Sequence, residues 1–242
     1  VTAMTISRAS STKTFSISSK RLGLDAFGNE YFQLMKPFLP FFLVAFTAFA
    51  VSLSGADFAI EKTKGEGLRI LHKGKPFAEY VVDQANKPYL YPVHGPTGAA
   101  MTRNYPMKKI EGERHDHPHH RGLNFGHEGI GGADSWSEQL TWDELGKNPK
   151  RAKLVADRVK ALGSIKHRSY DKLVAADEHA LVVELCDYLD ASGKTVISEQ
   201  RRMTFHVVEG ARLIDFDQEL VASAGDVHFE DKKDAGLSIR VP

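Results

Sequence analysis

The chain has 242 residues, with 32 basic and 31 acidic side chains, a formal net charge of +1 and a single cysteine. One cysteine excludes an internal disulfide and any CxxC metal site. Near-neutral charge leaves no basic field of the kind that recruits nucleic acid.

The first 34 residues precede Met35-Lys36 and begin with Val1, which is read as an alternative start codon opening a spurious leader. From Pro37 to Ala56 no residue is charged. Phe38 to Leu53 is largely apolar, and Ser54-Gly55-Ala56 offers small residues for cleavage. A short basic start, an apolar middle and a small-residue exit make residues 35–56 a signal peptide for export to the periplasm or medium. The rival is a genuine extension carrying an uncleaved anchor, although Pro37 and Pro40 suit a stable span poorly. Residues 1–56 hold five basic and two acidic side chains, so the remainder carries −2. About 185 residues then remain, enough for one domain with a core of ordinary size.

Residues 57–242 read as strands. Leu68 to Leu71 and Phe77 to Val82 flank His72-Lys73-Gly74-Lys75-Pro76, a hairpin pattern. Only Trp142 to about Leu162 is compatible with helix, and Pro149 limits it. Ala180 to Leu189, Thr195 to Val208 and Ala211 to Val221 follow one another through Asp190-Ala191-Ser192-Gly193-Lys194 and Glu209-Gly210. In the last of them Ile214, Phe216, Gln218 and Leu220 alternate with Leu213, Asp215, Asp217 and Glu219, which buries one face. Cys186 falls in an apolar strand pattern as a structural thiol. Arg201, Arg202, Asp215 and Asp217 read as ion pairs across neighbouring strands. The expected fold is all-β, a single-domain antiparallel sandwich. A galactose-mutarotase-like supersandwich is the analogue at the level of fold.

Chemistry concentrates between residues 115 and 138. Five of the eleven histidines lie between 115 and 127: His115, His117, His119, His120 and His127. Histidine is both a metal ligand and an acid or base near neutral pH. Gly122, Gly126 and Gly129 to Gly132 allow the chain to fold back onto Asp134-Ser135-Trp136-Ser137-Glu138. His117, His119 and His120 should therefore cluster with Arg121 and with Asp134, Glu138 or His127 in an open pocket. In an extended segment residues two apart face one side, so His115, His117 and His119 would share a face, with Asp116 and His120 opposite. Pro118 biases its predecessor towards extension.

Several blocks resemble the PmoA-like family, bacterial proteins catalogued as "methane oxygenase PmoA". They are Lys87 to Val93, Gly98, Met101-Thr102-Arg103, Tyr105-Pro106, Asp116 to Leu123, Phe125 and Asp134 to Glu138. Further blocks are Glu199 to Arg202, Leu213 to Asp217 and Asp234 to Val241. The resemblance spans nearly all of residues 57–242. It implies strands beyond Val241 and a segment rich in Trp, His and Pro, so that a chain ending at Pro242 is incomplete at its C-terminus. The family name itself describes a multi-span membrane subunit, and a span needs ~20 apolar residues. Here only Phe38 to Leu53 comes near, so residues 57–242 contain no span.

Three functional readings stand. In the first, His117 and His119 ligate Zn or Fe, with Asp134, Glu138, His127 or Glu113 as third ligand. The His-x-His spacing resembles the start of a cupin motif, yet Leu123 and Asn124 stand where that motif places a glutamate. In the second, a carbohydrate or other small molecule is the ligand. Tyr89, Tyr91, Trp136 and Trp142 stack on sugar faces, Arg103, Arg121 and Asp134 bind hydroxyls, and His117, His119, His120 and Glu138 do acid–base work of the aldose-epimerase kind. In the third, the domain is a non-catalytic binding module.

Overall fold

The computed structural model describes residues 55–242. The proposed leader 1–34 and nearly all of the signal segment 35–56 lie outside the described residues.

The first strands are β1 (Phe58–Lys62), β2 (Leu68–His72), β3 (Lys75–Val81), β4 (Tyr89–Val93) and β5 (Leu123–His127). Two short helices follow, α1 (Gln139–Gly146) and α2 (Ala152–Val159). The chain then runs through β6 (Ser164–Ala175), β7 (His179–Leu189), β8 (Thr195–Val208), β9 (Ala211–Val221) and β10 (Ala235–Ile239). They form two antiparallel sheets, a six-stranded one ordered β1-β2-β3-β4-β5-β10 and a four-stranded one ordered β6-β7-β8-β9. The expected all-β sandwich is what forms. Among the described residues no helix is long and apolar enough to cross a membrane.

Alternation explains the packing. In β9, Arg212, Ile214 and Phe216 are buried while Asp217 and Glu219 are exposed, the period-two signature of a half-buried strand. One core cluster joins Phe58, Leu68, Ile70, Phe77 and Leu90 of the first sheet to Val182, Met203, Phe205 and Ile214 of the second. A smaller cluster gathers Ile130, Ile165, Cys186, Tyr188 and Ile197. Cys186 is a buried free thiol whose ionisation burial pushes far up, which suits packing and not nucleophilic attack.

Between the two clusters lies a row of buried charge. Glu184 on β7 and Arg201 on β8 are register partners, and both are essentially fully buried. Arg201 chelates Glu199 at 2.7 and 3.0 Å and donates to Tyr80 Oη at 2.9 Å. Tyr80 donates in turn to Glu184, and His167 Nδ1 lies 2.6 Å from the other Glu184 oxygen. Buried charge survives only when paired and hydrogen-bonded. Arg201 is therefore structural as expected, but its main partner is two residues away on its own strand. Asp215 meets His206 at 3.3 Å. Arg202 and Asp217 are register neighbours with no ion pair between them among the described residues.

The helical segment begins at Gln139, three residues before Trp142, and breaks at Asn148-Pro149. β6, unforeseen from the sequence, supplies a twelve-residue edge strand whose burial pattern is irregular. Two register shifts against β7 break its alternation, which is why periodicity did not reveal it.

Candidate functional site

The histidine segment is shaped by Arg103. This side chain is 2 % exposed and carries five N–H donors. It donates to Asp116 Oδ1 at 2.7 Å, Asp116 O at 2.8 Å, His117 O at 3.1 Å, Arg114 O at 3.3 Å and Tyr105 O at 3.3 Å. Every donor is committed, so Arg103, expected to bind ligand hydroxyls, here organises the loop.

Gathering the carbonyls of 114, 116 and 117 on one guanidinium is incompatible with an extended run. His117 takes a left-handed φ of 47°. The His120 amide then donates to the His117 carbonyl at 3.0 Å, a turn with Pro118 at its second position, where its fixed φ is favoured. The expected face shared by His115, His117 and His119 is thus overturned. Instead the rings of His117, His119 and His120 converge, with centroids 4.4 to 5.8 Å apart. His115 stacks on Tyr105 at 5.0 Å and also lines the pocket that the other three share.

The three imidazoles open onto a pocket of about 650 Å³, walled by Asp116, Trp136, Trp142, Glu144, Arg158 and Lys233 among others. His120 packs edge-on to Trp136 at 5.5 Å. His117 Nδ1 lies 3.2 Å from Asp116 Oδ2, and His119 Nδ1 lies 3.0 Å from Thr141 Oγ1. Their Nε2 atoms, and both ring nitrogens of His120, have no protein partner among the described residues. Burial, then neighbouring cationic and imidazole groups, pulls His119 down to about 3 and His120 down to about 4. Both are neutral at pH 7. Burial pushes Asp116 up, but hydrogen bonds from Arg103 and His117 and the charge of Arg240 outweigh it and hold the carboxyl below its usual range.

Arg121, Glu138 and Asp134 do not line this pocket. Arg121 grips Glu138 with two bonds of 2.9 and 2.8 Å, and its guanidinium lies over the Tyr89 ring at 5.7 Å. Lys87, 1 % exposed, donates to the Trp136 carbonyl at 2.6 Å and to Asn86 at 3.2 Å. Burial lowers Lys87 to about 8 against the opposing pull of Glu138 and Asp134. Asp134 Oδ1 accepts from the Trp136 and Ser137 amides at 2.9 Å, while its buried Oδ2 has no hydrogen-bond partner among the described residues. These residues form a floor that fixes Trp136. Glu138, expected to do acid–base work, has its carboxylate buried and held by Arg121 through two bonds. Arg121 and Asp134, expected to bind hydroxyls, lie in the same floor. Tyr89 packs into it, and Tyr91 hydrogen-bonds Asn104 at 2.7 Å.

Two glycines make the floor possible. A Cβ on Gly122 would sit 2.1 Å from the Leu90 carbonyl oxygen, and one on Gly126 would sit 3.0 Å from the Ser135 carbonyl oxygen. The Asp-Ser-Trp-Ser-Glu segment lies directly on β5 because Gly126 has no side chain.

Among the described residues no group of three or more His, Cys, Asp or Glu is placed to hold a metal ion. Each expected third ligand is engaged elsewhere. Glu138 holds Arg121, Asp134 holds backbone amides, and Glu113 accepts from Asn104 and Tyr105. His127 Nδ1 accepts the Gly129 amide at 2.9 Å. The residues present do not fit a three-ligand Zn or Fe centre. Sequence reasoning missed Thr141, Glu144 and Arg240, which reach the loop only through the tertiary fold.

The fold and pocket define an antiparallel β-sandwich with a histidine-lined cleft beside its six-stranded sheet. Residues 67–242 match the model of a family of unknown function (DUF6807), and the chain belongs to that family. No curated protein and no solved structure matches it.

Proposed function

We propose that this is an exported protein of PmoA-like character that binds a carbohydrate in the histidine pocket and moves a proton there. One observation carries the reading. Four imidazole nitrogens without protein partners among the described residues belong to side chains that line an open pocket with Trp136. Sugar hydroxyls need donors and acceptors, and the apolar sugar face needs an aromatic ring. Neutral imidazoles and a tryptophan supply both.

The roles follow from hydrogen bonding. Asp116 is a carboxylate and accepts from His117 Nδ1, which leaves His117 Nε2 as the basic nitrogen in the pocket. A Thr141 hydroxyl donating to His119 Nδ1 leaves His119 Nε2 as a donor. Base and donor side by side suit proton transfer at a sugar hydroxyl, as in aldose epimerisation. In the non-catalytic alternative the same groups bind without turnover.

Titration calorimetry of purified protein against a panel of neutral and acidic oligosaccharides, beside metal analysis, tests this. Saccharide binding that disappears in His117→Ala supports it. Binding of no saccharide, together with stoichiometric Zn or Fe, overturns it in favour of the metal reading.

A further inference from the structure

We infer that Arg212 and Lys75 form a second binding site, separate from the histidine pocket, that takes the dianionic phosphate of a small phosphate monoester. The inference does not depend on the saccharide reading.

Strand β9 buries Arg212, Ile214 and Phe216 on one face, so a guanidinium stands at the end of an apolar row. Arg212 is 8 % exposed, and its guanidinium lies over the Phe77 ring at 4.8 Å. Buried charge survives only when paired and hydrogen-bonded. Arg103 and Arg201, the other buried arginines, each hold a carboxylate at 2.7 Å. Arg212 holds none among the described residues. Its Nη1 donates to the Pro76 carbonyl at 2.7 Å and to the His94 carbonyl at 3.2 Å, which ties β9 to the first sheet and fixes the guanidinium. Nε and Nη2 have no protein partner among the described residues, and neither is sealed from solvent. Three of the five donors thus remain for a ligand. Packing and the two carbonyls account for the stem and Nη1, but they leave the charge uncompensated.

The guanidinium borders a cavity of about 250 Å³. Two hairpins line it, one from each sheet. Lys73-Gly74 turns β2 into β3 with left-handed φ of 49° and 70°, and Glu209-Gly210 turns β8 into β9. The first hairpin contributes His72, Lys73 and Lys75, and the second contributes Val207, Val208 and Arg212. No acidic side chain lines the cavity among the described residues; Glu209 lies in its turn but not on the wall. Lys73 is neutralised by Asp57 at 3.2 Å. Lys75 is exposed and has no partner among the described residues. His72 packs on Phe58 at 4.8 Å. Burial, then the charge of Lys73, pulls it below the ordinary histidine value, so it is neutral at pH 7. Two cationic charges therefore stand open, those of Arg212 and Lys75. A carboxylate would match one of them. A phosphate monoester carries nearly two negative charges at pH 7 and three strong acceptor oxygens. Arginine supplies it with a fixed fork and lysine with a point charge. Val207 and Val208, 37 and 47 % exposed, offer apolar contact to the organic group of the ester.

The probes are butyl phosphate, inorganic phosphate and the monoanionic dimethyl phosphate, titrated calorimetrically against the full chain in low-salt Tris at pH 7.5. Butyl phosphate is expected to bind on the order of fivefold more tightly than dimethyl phosphate, the worth of one further partly exposed ion pair. Lys75→Gln should weaken butyl phosphate by about the same factor, since it removes that pair. Arg212→Gln should weaken it on the order of tenfold or more, the scale of a charged hydrogen bond lost from a buried group. Its melting profile reports whether the fold is kept. Where Arg212→Gln fails to fold, the exposed Lys75→Gln decides. Butyl phosphate affinity unchanged in Lys75→Gln overturns the inference, as does equal affinity of the parent for butyl and dimethyl phosphate. Inorganic phosphate bound with butyl phosphate excluded overturns the ester as ligand. Butyl phosphate binding that disappears in His117→Ala puts the anion in the histidine pocket and overturns the second site. Binding of none of the three probes overturns it too.

Discussion

Arg103 donates to Asp116 twice, through the carboxylate at 2.7 Å and the main-chain carbonyl at 2.8 Å. The two residues are thirteen apart in sequence. This grip shapes the whole pocket, because it bends the chain just before His117 and turns three imidazoles inward. A histidine run that would otherwise lie on the surface becomes a wall.

Replacing Arg103 should therefore damage both stability and binding. Arg103→Met leaves buried carbonyls without donors and removes one of the partners of Asp116, at an expected cost of about 3 kcal/mol. Urea unfolding measures it. A midpoint unchanged from the parent would show that the loop holds itself.

The histidines should be dispensable for folding. His117→Ala with His119→Ala is expected to abolish saccharide binding, with the far-ultraviolet circular dichroism nearly unchanged. His117 is largely exposed, and the sheets do not pass through it. Loss of the β signal would make the pair structural.

Acid should destabilise the pocket in a defined window. His119 and His120 titrate lower in the folded chain, at about 3 and about 4, than the ordinary histidine value of about 6.5. The unfolded chain then binds more protons below pH 6.5. Stability is intact above that pH and is lost as pH falls through the folded values. Asp116 and Glu113, held below the usual carboxylate range, act in the same direction at lower pH. Thermal melts between pH 7 and pH 4 should show a falling melting temperature. The fall should be shallower in a His119→Gln, His120→Gln double variant. Parallel curves for parent and variant would remove the histidines from the account.

The buried row should behave as a unit. Arg201→Met strands Glu199 and Glu184 in the sandwich and should cost about 3–5 kcal/mol. Adding Glu199→Leu should recover part of that, since an apolar pair tolerates burial. A double variant less stable than the sum of its singles would argue against the pairing.

Export makes a prediction of its own. Protein recovered from the periplasm or medium should begin near Asp57 on N-terminal sequencing. Recovery of a cytoplasmic chain with Met35 intact would reject the signal peptide.

Much of the fold was legible in the sequence because alternation is local. The β2–β3 hairpin and the β7–β8–β9 meander follow from period-two patterns bounded by glycine turns. Strand β6 was hidden by its register shifts, and β5 by the histidine, glycine and asparagine that made Leu123–His127 resemble a loop. Composition alone singled out the histidine segment, since clustered histidines have no reason to form in an apolar core. Which of those histidines meet, and against what, was decided by contacts between residues far apart. Arg103 bends the loop, Gly126 admits the Trp136 segment, Arg121 takes Glu138 out of play, and Arg240 arrives from β10. None of these follows from spacing, because a side chain's role depends on which donors and acceptors the rest of the fold has already claimed. Arg103 and Arg240 are the same residue type on the same carboxylate. Burial and hydrogen-bond saturation alone make Arg103 a scaffold and leave Arg240 partly exposed.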